Sequence, residues 1–235
     1  MPLEILHTND FHGTLDDSKQ AVLARLRPAA DLYFDSGDCV KAGNLAIPLK
    51  PEAVWARLAA LDCTASVIGN RESQPLEGPF KKKIEGAAHP LLCANLRRKD
   101  DTRPLKESLI LETAGFKVGV FGVMVPMVTE RMATRAASQF LWDDPVSVAC
   151  RWVEELRPQV DCLIALTHIG ARQDEKLAER CPGIDLILGG HSHTLLDAPI
   201  WVGKTAICQT GSHGKYAGVY SWSPDRLEYR LEALV

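Results

Sequence analysis

Residues 184–193 read Ile184-Asp185-Leu186-Ile187-Leu188-Gly189-Gly190-His191-Ser192-His193. An apolar run ends in two glycines, and two histidines follow. A short apolar run bounded by turn residues is the pattern of a strand buried on both faces. The same grammar recurs along the chain. The run at 3–7 ends in Thr8-Asn9-Asp10-Phe11-His12-Gly13, and the run at 31–35 in Ser36-Gly37-Asp38. The run at 64–68 ends in Gly69-Asn70-Arg71-Glu72, and the run at 160–166 in Thr167-His168. Helical spacing fills 18–27, 51–61 (with proline in its first turn), about 75–86, 145–156 and 174–180. A further strand is expected at 91–94, and two apolar runs flanking Ala114-Gly115 predict a hairpin over 108–123. Residues 125–144 are polar and basic, the mark of a loop with some helix. The tail predicts strands at 199–202, 204–209, 216–222 and 226–232. Strands alternating with helices, then a strand-rich end, imply two packed sheets with helices outside, in one domain.

The chain has 235 residues, 46% hydrophobic and 24% charged, with a formal net charge of −3. Those values belong to a globular domain with one sizeable core. A basic nucleic-acid footprint over the whole chain is excluded, and no partner of that class is expected. No stretch reaches the roughly 18 uninterrupted apolar residues of a membrane span. Met1-Pro2-Leu3-Glu4-Ile5 lacks a basic region followed by a long apolar run, so a cytoplasmic protein is expected. The seven cysteines are odd in number, widely spaced and without a Cys-x-x-Cys pair. They are therefore expected to be reduced, mostly buried thiols.

Histidines and carboxylates carry the chemistry. Asp10, His12, Asp38, Asn70, His168, His191 and His193 all fall at strand ends, where open α/β sheets place their sites. A mixed oxygen and nitrogen set suits Zn, Mn, Fe or Co, and the lack of cysteine argues against a structural zinc site. One metal rarely needs seven ligands. Two metals sharing a carboxylate would use them all, an arrangement suited to phosphoryl transfer.

Asp10-Phe11-His12, Gly37-Asp38, Gly69-Asn70, Thr167-His168 and Gly190-His191-Ser192-His193 resemble the five ordered motifs of the calcineurin-like metallophosphoesterases. His7 to Gly13, Ala165 to Gly170, Gly189 to Thr194 and Gly211-Ser212-His213-Gly214-Lys215-Tyr216 resemble its 5′-nucleotidase branch. The resemblance runs from about residue 3 to the C-terminus. It implies an α/β fold, a four-layer αββα sandwich of two mixed β-sheets flanked by helices. It also implies two divalent metal ions, with Asp10, His12 and His193 on one, Asn70, His168 and His191 on the other, and Asp38 bridging. A metal-bridging hydroxide would attack a small-molecule phosphate ester, diester or anhydride, nucleotides included. Secreted 5′-nucleotidases carry a further C-terminal substrate domain. The expectation here is a single metallophosphoesterase domain over 1–235 without it.

The sequence departs from the family at two linked positions. The residue after Gly-Asn is usually histidine, supported in nucleotidases by an aspartate three residues on. Here those positions hold Arg71 and Gln74. Arginine stays protonated near neutrality and cannot act as a general acid, but it can hold a phosphate oxygen. Arg71 is therefore expected to act as an electrostatic clamp that favours good leaving groups. His213, in a glycine-rich turn, is the candidate source of the missing proton. Two alternatives stand beside this reading: a non-catalytic metal- or nucleotide-binding domain, and a catalytic half completed by a partner chain. Among lesser residues, His7 is expected in the core, His89 in a loop, and Asp35 as a cap on the turn before Asp38. Lys81-Lys82-Lys83 and Arg97-Arg98-Lys99 are expected to be solvated, and Trp142 and Trp201 to be packing residues. Arg131 and Arg135 lie in the long loop.

Overall fold

β1 (Leu3–Thr8) opens the first sheet of the computed structural model, which describes residues 1–234. The chain runs through α1 (Asp17–Leu26) to β2 (Leu32–Asp35), α2 (Ala53–Ala60) to β3 (Ala65–Val67), and α3 (Glu77–Ile84) to β4 (Leu91–Leu92). After β5 (Leu96–Arg98), the hairpin of β6 (Ser108–Thr113) and β7 (Phe116–Met124) starts the second sheet. β8 (Phe140–Trp142) pairs back with β5. Then come α4 (Pro145–Leu156), β9 (Cys162–His168), α5 (Ala171–Arg180) and β10 (Leu186–Leu188). β11 (Ile200–Val202), β12 (Thr205–Cys208), β13 (Tyr216–Ser223) and β14 (Arg226–Ala233) complete the two sheets.

The first sheet has the order β14-β13-β1-β2-β3-β4 and the second β11-β12-β10-β9-β7-β6. β1 to β4 pair in parallel, as do β7, β9, β10 and β12, while β13, β14, β6 and β11 join their sheets antiparallel. Both sheets are mixed, as expected. Successive side chains of a strand point to opposite faces, so each continuous apolar run feeds two cores. Ile5, Phe34 and Val67 meet Val120, Ile164 and Leu188 between the sheets. Leu6 and Tyr33 face outward onto Leu23, Trp55 and Phe80 of α1, α2 and α3. Phe121, Leu163 and Ala165 face Val153 and Leu177 of α4 and α5. Three apolar layers between four structural layers make the αββα sandwich. Asp16 caps α1 by accepting from the Lys19 N–H (3.0 Å), and Asp144 caps α4 from Ser147 (2.9 Å) with Pro145 at its first turn.

Several expectations change. The segment 125–144 contains β8 and a 3₁₀ turn at Ala133–Ala136. Cys150 and Cys181 form a disulfide, because α4 and α5 bring their Cα atoms to 4.9 Å. The other five cysteines are free and buried, as expected. Lys83 is buried rather than solvated, since α3 turns it to the same face as Phe80. Arg97 is drawn into ion pairs with Asp101, Glu130 and Asp143. Trp142 is a packing residue, but Trp201 is 55% exposed on the edge strand β11. Arg131 is exposed, and Arg135, also exposed, pairs with Glu130 at 3.1 Å. No helix among the described residues is long and apolar enough to cross a membrane.

Candidate metal centre

Parallel strands end on one side, so β1, β2, β3, β9 and β10 deliver their following loops to a common edge. There the first two loops bond to each other. The N–H groups of Asp10, His12 and Gly13 donate to the carbonyls of Gly37, Asp38 and Cys39 at 2.8–2.9 Å. This pairing holds an unusual backbone. Among the described residues, nine non-glycine residues have positive φ, and six are Asp10, His12, Asp38, His191, His193 and His213. Such conformations cost energy and persist where surrounding bonds over-determine them, typically at functional sites. Two glycines are needed for close approach. A Cβ on Gly69 would strike the Asp38 carboxylate, and one on Gly190 would come within 2.7 Å of the Ser36 carbonyl and 2.9 Å of His168 Nδ1.

All seven candidate ligands converge. Asp10 is buried, and its Oδ2 accepts from Asn9 Nδ2 (2.7 Å) and the His191 N–H (2.9 Å). Its Oδ1 is buried without a hydrogen-bond partner. That oxygen faces His12 Nε2 at 3.5 Å and His193 Nε2 at 3.3 Å, and the two imidazole nitrogens lie 2.8 Å apart. On the other side, the Asp38 Oδ1 lies 3.5 Å from His168 Nε2, and Asn70 Oδ1 lies 3.3 Å from that nitrogen and 2.9 Å from His191 Nδ1. His168 Nδ1 donates to the Ser36 carbonyl at 2.6 Å, which turns Nε2 toward the cluster. The sequence reading places Asp38 between the two groups. In the structure it is Asp10 that falls in both carboxylate–imidazole groups, one with His12 and His193 and the other with Asp38 and His168.

An orphaned buried carboxylate oxygen beside convergent imidazole nitrogens fits a cation, and a set of carboxylate, amide and imidazole donors fits a divalent one. The local field agrees. Burial lowers the His168 imidazole, but the Asp38 and Asp10 carboxylates outweigh it and lift the group to about 10. Burial raises Asp38, yet His168 and the Arg71 N–H hold it below the usual carboxylate range. The pocket draws positive charge.

Arg71 stands at this edge. Its N–H donates to Asp38 Oδ1 (2.7 Å), its Nε is 4.0 Å from Asp38 Oδ2, and its Nη1 donates to the Lys41 carbonyl (3.2 Å). The side chain is 28% exposed. His213 has its ring 5.0 Å from that of His12 and 5.9 Å from that of His193. Its N–H donates to the Asp10 carbonyl (2.7 Å). His7 lies in the core against Ser36, and Asp35 accepts from the Gly37 N–H, both as expected. His89 has a partner that the sequence did not show, Ser66 Oγ at 2.7 Å.

Three supporting residues escaped the sequence reading. Glu72, 1% exposed, accepts from the N–H groups of Gly69 (2.8 Å), Asp38 (2.9 Å) and Val40 (3.0 Å), binding two ligand loops together. Asn9 accepts from Thr210 N–H (2.9 Å) and Oγ1 (2.6 Å) and donates to the Gly211 carbonyl (2.7 Å), tying the first loop to the His213 turn. Gln209 accepts from Ser192 Oγ and the Thr194 N–H, both at 2.8 Å, fixing the loop that bears His191 and His193. Asn9 adjoins a candidate residue in sequence, and so does Glu72, the one signal that could have marked them.

Comparison with known proteins gives a consistent picture. The sequence profile described as calcineurin-like phosphoesterase matches residues 3–195. A trifunctional nucleotide phosphoesterase of Bacillus subtilis (strain 168) is 27% identical, over 92% of this chain and 18% of its own length. A 5′-nucleotidase of Homo sapiens is 28% identical, over 83% of this chain and 38% of its own. The fold matches a 5′-nucleotidase precursor from Thermus thermophilus with a TM-score of 0.81 and 22% identity, over 99% of this chain and 54% of that one. The chain thus spans less than half the length of the curated relatives named here.

Proposed function

Because the chain belongs to the calcineurin-like phosphoesterase family, we propose that it is a divalent-metal-dependent phosphohydrolase acting on a small-molecule phosphate ester, diester or anhydride, nucleotides among them. The observation that carries this reading is the convergence of two carboxylates, an amide and four imidazoles, with Asp10 Oδ1 left unpartnered among them. Asp10, His12 and His193 would hold one cation, Asn70, His168 and His191 a second, with Asp38 between them. Bound there, two divalent ions such as Mn, Zn, Fe or Co would supply Lewis acidity toward the phosphate and a nucleophile drawn from water at neutral pH.

The chain's own residues do the rest. The Arg71 guanidinium holds a phosphate oxygen and offsets charge that grows on it in the transition state. It gives no proton. His213, packed against His12 and His193, is the group we assign to protonate a leaving oxygen. Burial and the neighbouring His12, His193 and Arg71 lower the His213 imidazole below its ordinary 6.5, so little of it carries a proton at neutral pH and leaving groups that need little protonation are preferred.

The test compares para-nitrophenyl phosphate with an alkyl phosphate on metal-reconstituted protein, with Asp38→Asn as the inactive control. The alkyl ester should be slower by ~10²–10⁴-fold, the usual worth of general acid catalysis, and Arg71→His should narrow that gap. Equal rates on both esters, unchanged by Arg71→His, would overturn the role of Arg71. One contact favours a second reading, a metal-binding domain without turnover: Arg71 Nε lies 4.0 Å from Asp38 Oδ2, where its charge competes with a cation. Two bound metals with no turnover across monoesters, diesters and anhydrides would select it.

A further inference from the structure

The Asn70 side chain can turn either an oxygen or an NH₂ group toward a cation, and only the oxygen is a ligand. We propose that Asn44 is a positioning residue that sets this choice, an inference resting on the reading of Asn70 as a metal ligand. Asn44 Oδ1 accepts from Asn70 Nδ2 at 2.9 Å. With the NH₂ group so engaged, Asn70 Oδ1 is left facing His191 Nδ1 and His168 Nε2. An amide orientation is a two-fold choice settled by the groups on both sides, and an acceptor held on the NH₂ side favours the oxygen-inward one.

Asn44 is itself exposed, so the acceptor works only if its backbone is held. It is held by an unusual device. The Lys83 side chain leaves water and places Nζ against the carbonyls of Gly43 (2.8 Å), Asn44 (3.4 Å) and Arg71. Gln74 Nε2 donates to the same Asn44 carbonyl. Glu52 accepts from the N–H groups of Lys41 and Ala42 at the root of the loop. Burying an ammonium group is costly unless its donors are satisfied. All three carbonyls that satisfy Lys83 belong to the two segments that flank the Asn44–Asn70 bond. A lysine serving only the core of α3 would have no reason to gather them. Partners one step behind a ligand typically change metal affinity by ~10–100-fold when removed.

The experiment is a Mn²⁺ titration of the whole chain, read by the electron paramagnetic resonance of free Mn²⁺, with unfolding midpoints measured in parallel. Wild type should bind two ions, and Asn70→Ala should lose or weaken one step. Asn44→Ala should weaken that same step by ~10–100-fold and leave the other unchanged. Its metal-free midpoint should not move, because the side chain is exposed. Asn44→Asp keeps the acceptor oxygen and should restore the step. If Asn70→Ala weakens a step and Asn44→Ala matches wild type, the positioning role is overturned. If Asn70→Ala leaves both steps intact, the ligand set is wrong and the role of Asn44 falls with it.

Discussion

Removing the Glu72 carboxylate should loosen two ligand loops at once, and the structure sets the size of the effect. Oε2 accepts from Asp38 and Gly69, and Oε1 from Val40. Glu72→Ala leaves three N–H groups without their acceptor in a closed part of the fold. An unsatisfied buried donor costs ~1–3 kcal/mol, so the low end of the range already gives ~3 kcal/mol. For a chain of this size each kcal/mol lowers the melting midpoint by ~2–4 °C, or at least ~6 °C in all. Burial and the neighbouring Asp38 push the Glu72 carboxyl upward, so a neutral replacement is the milder change. Glu72→Gln can keep its oxygen on the doubly bonded side and lose only the Val40 bond, for ~1–3 kcal/mol. Denaturant unfolding without metal should therefore rank wild type, Gln and Ala in falling order. Metal at about 100 times its dissociation constant adds ~2.7 kcal/mol to a protein that binds only when folded. Glu72→Ala should gain less than wild type at the same Mn²⁺ concentration, because Asp38 is no longer fixed. An Ala variant within ~0.5 kcal/mol of wild type, with the same metal response, would refute the idea that these bonds order the site.

Burial pulls His89 down to about 4 from its ordinary 6.5. The unfolded chain then binds a proton that the folded chain refuses. Stability is full above pH 6.5 and drains as pH falls to 4, by at most ~3 kcal/mol; His89→Gln should flatten urea midpoints across that window, and an unchanged slope would refute the assignment. The Cys150–Cys181 bond spans 31 residues, a loop whose closure is worth ~3–4 kcal/mol in the chain-entropy estimate. Dithiothreitol should lower the unfolding midpoint of wild type and leave a Cys150→Ser/Cys181→Ser variant unmoved; the same shift in both would place the effect elsewhere. Gly190→Ala pushes a methyl onto the Ser36 carbonyl and His168, and should cost ~1–3 kcal/mol and weaken Mn²⁺ binding. A variant that binds metal as wild type does would show that the loop yields without moving His168.

The parts that were legible follow from local chemistry. Short apolar runs feeding two cores, each stopped by glycine or a small polar residue, mark the strands that carry the candidate ligands. The parts that were not depend on partners distant in sequence. β5 and β8 are three residues each and gain their identity by pairing Leu96 with Trp142. Cys150 and Cys181 look unrelated until α4 and α5 pack. Lys81-Lys82-Lys83 looks like a solvated charge run, yet the helical period turns one of the three onto the face of Phe80. Trp201 fails for the opposite reason, since an edge strand leaves a large side chain partly uncovered.

The two departures at Arg71 and Gln74 make sense as a coupled pair. A carboxylate three residues after a histidine has a purpose, holding an imidazole that must gain and lose a proton. An arginine needs no such support, because it does not titrate near neutrality. Freed from that task, position 74 carries an amide that donates to the Asn44 carbonyl and joins the loop scaffold. The anion-holding and proton-giving roles then fall, on this proposal, to two different residues. Arg71 leans on Asp38, while His213 packs against His12 and His193. On the proposed reading, the proton reaches the leaving oxygen from the His12 side. A His213→Gln variant should then slow alkyl esters more than aryl esters, whereas loss of a merely structural loop histidine would slow both alike.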